Sequence, residues 1–256
     1  MGIGNGAPAW PSVIISNGGI SPSDHRRRVH DLFRLVDAYY YGVDDEIINW
    51  TFGAVIDDLN AAHWNLASGF HKAAASCLRS ALELGIVSLY FQIQEITNPR
   101  PNDWNKPFRE WDSGLRNSPN WKEMKTFISS HSSIATFNTE GNCDVMERIY
   151  THYRYLCSFT HSRPYYQPGE PTSNLNMGMD TPEFNKTFFE RWYDMSSDTI
   201  GWIATAWMVA FPIILKPDPL HTDSDLSRYK ELLKHNEGSD AVDRAGLTYW
   251  NAASVT

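Results

Sequence analysis

The sequence predicts an all-α protein, a four-long-helix antiparallel bundle with extra short helices. Three observations carry that expectation. Apolar residues recur at helical spacing over several long stretches. Gly and Pro punctuate the ends of those stretches. No part of the chain alternates as a strand ladder does, and the one β-like run, Ser12 to Ser16, is short and isolated.

The elements follow in order. Residues 1–24 are rich in Gly, Pro, Ser and Asn and read as a flexible N-terminal tail. Gly2, Gly4 and Gly6 have the spacing of a phosphate loop, but no strand precedes them and no helix pattern follows. Arg26, Arg27 and Arg28 read as a solvated face at a helix start, with a phosphate contact as the alternative. Leu32, Leu35, Val36 and Tyr39 then form one helical stripe, ending at Gly42. A long helix is expected over 44–68, with Asp44, Asp45 and Glu46 at its positive dipole end and Ile48, Phe52, Val55, Leu59 and Leu66 along its apolar row. Gly69 permits a break. A second long helix, 71–95, is so poor in charge that it should be buried on most sides.

Residues 97–120 hold Pro99, Pro101, Pro107 and Pro119, which predicts a long connection with at most short helices. A modest helix follows over 118–130. Long helices are expected again over 144–161 and 182–215, the latter opened by Thr181-Pro182-Glu183. The bundle thus spans 25–216, and 217–256 form a polar tail with one short helix around Leu226 to Leu233. The uncharged run from Thr199 to Leu215 is at the lower length limit for a bilayer span, and a buried bundle helix is the expected reading, with no membrane.

Composition limits the function. The chain has 256 residues, 42% of them hydrophobic, enough for a packed core. Its net charge of -8 excludes a polyanion-binding field over the whole surface, so contact with nucleic acid must be local. Cys77, Cys143 and Cys157 lack the spacing of a disulfide framework or a zinc site. No secretory signal pattern opens the chain. Together these features point to a reducing, cytoplasmic setting without metal or other cofactor.

Two helices carry candidate chemistry. In 144–161, Arg154 and His161 are seven residues apart, within about 20° of two full turns, with Ser158 between them on the same face. A guanidinium, a hydroxyl and an imidazole in one stripe suit a phosphodiester: the imidazole moves a proton and the guanidinium stabilises charge on phosphate oxygens. Chance alone supplies about 1.5 such Arg–His spacings in a chain of this composition. Arg228 and His235 also match, and a plain helix-end cation is the competing reading of His161. In 71–95, Arg79 and Glu83 are four apart among apolar residues, either a structural ion pair or a pair that faces and orients the first stripe.

The segments AAASCLRSALELGIVSLYF and YRYLCSFTHSRP resemble the HEPN superfamily, helical bundles named for higher eukaryotic and prokaryotic nucleotide-binding proteins. The resemblance covers roughly 44–215. It implies a homodimer with Arg154 and His161 as a metal-independent endoribonuclease pair at the dimer cleft. Ser158 would then be an accessory catalytic group, and Arg79 and Glu83 supporting polar residues. It also implies an RNA substrate and a defence or toxin-like setting with an antitoxin-like protein partner. Catalytic members usually place Asn, Asp or His after the Arg, and here Tyr155 follows. That departure keeps a second reading open, a non-catalytic nucleotide- or partner-binding module.

Overall fold

The computed structural model describes residues 22–40, 46–99, 103, 105–160, 186–212 and 223–232. Among them there are helices and no strand. The helices are α1 (Pro22–Tyr40), α2 (Glu46–Ala67), α3 (His71–Thr97), α4 (Lys106–Asp112), α5 (Trp121–Ser129), α6 (Ser132–Gly141), α7 (Val145–Thr160), α8 (Lys186–Ala210) and α9 (Asp223–Leu232).

The organising element is α3, which packs against α2, α5, α7 and α8. Its low charge explains this position, since few of its faces require water. It returns along α2 after a short turn in which Gly69 takes a left-handed φ of 80°. Between these two helices the Thr51 hydroxyl donates to the Ile47 carbonyl and therefore accepts from Ser88, 2.5 Å away. At Gly85 α3 lies close against α8. A Cβ there would lie 3.1 Å from Ile203, and the Trp207 indole donates to the Gly85 carbonyl over 3.2 Å. Trp192, Trp202 and Trp207 of α8 are wholly buried, as are Leu59, Leu78, Leu82, Ile149 and Leu156 from its neighbours.

Several expected boundaries shift. Helix α1 already begins at Pro22, so Pro22, Ser23 and Asp24 belong to it and not to the tail. Proline suits a first helical position, where its missing N–H leaves no bond unmade. Helix α6 was not expected; only Ile134 and Phe137 are its buried apolar residues, too few for a visible period. Helix α8 ends at Ala210, short of 215, because Pro212 disfavours helical backbone just before it. Among the described residues of the 97–120 connection, the short α4 is the one helix that starts and ends there. The uncharged part of α8, from Thr199 to Ala210, is buried throughout. Among the described residues only α3 is long and apolar enough to cross a membrane, and most of it is covered by the other helices. The N-terminal tail 1–21, the 163–180 loop, the Thr181-Pro182-Glu183 start and the tail beyond Leu232 lie outside the described residues.

Candidate functional site

Helix α7 has an apolar inner face and a polar outer row. Val145, Met146, Ile149, His152, Leu156 and Phe159 are buried against α3 and α8. Glu147, Thr151 and Arg154 are exposed, and Ser158 is half-buried on the same row. The start of the row is anchored: Asn138 Oδ1 accepts from the Val145 N–H, Asp144 Oδ1 from the Glu147 N–H, and the Glu147 carboxylate from Lys125. Beyond that anchor, Arg154 stands open to solvent. The Ser158 hydroxyl donates to the Tyr155 carbonyl at 2.6 Å, so it reaches a ligand only as an acceptor unless it releases that bond. His161 lies outside the described residues.

Arg79 and Glu83 are half-buried and do face α7, but the residue they meet is Tyr153. The Arg79 guanidinium lies 5.9 Å from the centre of the Tyr153 ring, within cation–π range. Burial, and then the Glu83 charge, push the Tyr153 phenol up to about 12. The Trp121 ring lies 4.4 Å from that of Tyr153, and the Tyr150 ring 6.4 Å away and nearly parallel. The structure therefore brings together Arg79, Glu83, Tyr153 and Trp121 on the α3–α5–α7 seam. Arg154, one residue and about 100° further round α7, points outward beside it.

The described imidazole of α7 has a structural bond. His152 Nε2 lies 2.9 Å from Thr199 Oγ1, whose own proton goes to the Met195 carbonyl at 2.8 Å. Thr199 can then only accept, so His152 carries its proton on Nε2. Arg228, the other spacing match, lies 4.0 Å from the buried Asp31 and ties α9 to α1.

A histidine cluster joins α1, α2 and α8. His25 is buried, with Nε2 3.3 Å from the Leu59 carbonyl and Nδ1 2.8 Å from Ser196 Oγ. A carbonyl only accepts, so Nε2 carries the proton and Nδ1 accepts from the serine. His63 stacks on His25 with ring centres 5.1 Å apart, and Trp192 and Tyr193 flank both rings. Burial, then the His63 and Arg26 charges, hold His25 down to about 4 against the hydrogen bond to Leu59. Burial and Arg26 lower His63 as well. The sequence signal for this cluster is the row His25, Val29, Leu32, which places the imidazole on the apolar face of α1. Among the described residues no group of three His, Cys, Asp or Glu side chains is arranged to hold a metal ion.

No family model, no curated protein and no solved structure matches this chain.

Proposed function

We propose that the chain is a HEPN-like four-helix antiparallel bundle, built on α2, α3, α7 and α8, that acts as a metal-independent endoribonuclease. The observation that carries this reading is the outer row of α7, where an exposed Arg154 stands in line with Thr151 and Ser158. A guanidinium in that position is accessible to a phosphodiester, and His161 follows Arg154 by seven residues in the sequence, the spacing of two helical turns. Two copies meeting through this row would set paired Arg154 and His161 groups around one cleft. In that cleft the RNA 2′-oxygen bonds to the adjacent phosphorus and the bond to the 5′-oxygen breaks. His161 takes the 2′-OH proton or supplies one to the leaving oxygen, and Arg154 stabilises the charge on the non-bridging oxygens.

The test is incubation of the purified protein with end-labelled RNA in EDTA. Cleavage leaving 2′,3′-cyclic phosphate ends is expected. His161→Ala should abolish it, and Arg154→Lys should slow it by about 100-fold because a point charge does not reproduce the planar fork. Light scattering at micromolar concentration should give twice the 29.2 kDa chain mass. Failure of the parent to cleave, or full activity in His161→Ala, overturns the catalytic reading.

A second reading, a non-catalytic nucleotide- or partner-binding module, is favoured by the Ser158 hydroxyl already held by the Tyr155 carbonyl. It expects RNA or nucleotide binding that Arg154→Gln weakens, with no strand scission.

A further inference from the structure

The outward face of α2 carries a row that the proposed function does not use. Trp50 and Trp64 are each 70% exposed, although large aromatic side chains normally contribute to a core or an interface. They lie 14 residues apart, about 21 Å along the helix and within about 40° of the same direction. Asp57 is exposed midway, seven residues from each. Gly53 and Ala54 lie between Trp50 and Asp57, and Asn60 and Ala61 between Asp57 and Trp64. A Cβ added at Gly53 would meet nothing within 4 Å. The row thus reads large, small, acidic, small, large at heptad spacing, the pattern of one side of a helix seam.

The charge on this row identifies the occupant. Helix α2 contains Glu46, Asp57 and Asp58 and no Lys or Arg. Among the described residues Asp57 has no ion pair, whereas Asp58 is half-buried with a hydrogen bond to Ser80. A second copy fits poorly: antiparallel pairing that sets Trp50 against Trp64 of the other copy also sets Asp57 against Asp57, like charge on like. An anionic membrane surface fits poorly for the same reason, since the row offers it a carboxylate and no cation.

We propose that the Trp50–Asp57–Trp64 row is the docking seam for a cationic amphipathic helix of another protein. Its central Arg or Lys pairs with Asp57. Its bulky aliphatic side chains, three or four residues to either side, fill the gaps at Gly53/Ala54 and Asn60/Ala61. Its small residues lie under the two indoles. Trp is among the residues that dominate interface energies, and a charged position at the centre of a seam sets register.

The experiment uses the full chain and two synthetic Ala/Gln-based helical peptides. One carries a central Arg with Leu three and four residues to either side. The other is identical except for Glu in place of the Arg. Fluorescence anisotropy should show the Arg peptide binding at least tenfold tighter. Asp57→Lys should invert that preference. Trp50→Ala and Trp64→Ala should each weaken binding at least tenfold while the melting temperature stays near that of the parent, as their exposure requires. The proposal is overturned if the Arg peptide fails to bind or if Asp57→Lys leaves its affinity unchanged. It is also overturned if Trp50→Ala and Trp64→Ala abolish self-association or vesicle binding but not peptide binding. None of these outcomes depends on RNA cleavage, so the two proposals fail separately.

Discussion

At the scale of single residues, burial decides how the imidazoles of the core titrate. His25 is sealed between a carbonyl and a serine hydroxyl, beside a second imidazole and an arginine. No carboxylate is among the groups that set its titration, so burial and like charge outweigh the one group that favours a proton there, the Leu59 carbonyl. The unfolded chain takes up that proton as pH falls through 6.5, whereas the folded chain resists it until about 4. Stability contributed by neutral His25 is therefore complete above 6.5 and is lost progressively as pH falls towards 4. The full window corresponds to roughly 3 kcal/mol, and His63 adds in the same direction. Urea denaturation at pH 7.5 and pH 5 should show a marked fall in the parent. A His25→Gln variant should start less stable at pH 7.5 and show a shallower slope over that range. Equal slopes in both proteins would separate acid sensitivity from this cluster.

Among elements, the two glycines Gly53 and Gly85 show how one residue type serves different purposes in neighbouring helices. Replacing a helical Gly by Ala removes backbone freedom from the unfolded chain and favours folding by roughly 0.5–1 kcal/mol. At Gly53 nothing opposes that gain, because the added methyl enters open space. At Gly85 the methyl would lie 3.1 Å from Ile203, which is wholly buried and must give by a few tenths of an ångström. Overpacking of this kind costs about 1–3 kcal/mol, and the Trp207 bond to the Gly85 carbonyl stretches as α8 is pushed away. Thermal melts should show Gly53→Ala raised and Gly85→Ala lowered. Adding Ile203→Val, which trims the Ile203 side chain, should recover part of the loss. The periodic elements α2, α3, α7 and α8 were legible because their apolar rows are long. Helix α6 was not, since two buried side chains in ten residues make no period. The α3–α7 meeting was legible too, because polar pairs in apolar helices need partners. Which α7 residue meets Arg79 was not, since Tyr153 and Arg154 differ by one step of about 100° that depends on how the helix is rolled.

Across the whole molecule, charge decides how RNA could be held. The net charge of -8 repels a polyanion over most of the surface, so affinity must rest on a few local cations. In the proposed reading that cation is Arg154 on the outer row of α7, with Glu147 two turns away already neutralised by Lys125. A protein that neutralises several phosphates loses affinity steeply with salt. For single strands the slope of log affinity against log salt is about -0.7 per phosphate neutralised. If two copies share one cleft, two Arg154 groups contribute and the slope should be near -1.4, shallow for an RNA-binding protein. Arg154→Gln should remove nearly all of that slope, whereas Arg27→Gln should not alter it, because Arg27 pairs with Asp24 and Asp31 on α1. Filter binding of a single-stranded oligonucleotide to His161→Ala protein between 50 and 300 mM salt measures this without interference from cleavage. A slope several-fold steeper, or one that survives Arg154→Gln, would move the contact from α7 to another basic surface such as the Arg26–Arg28 run.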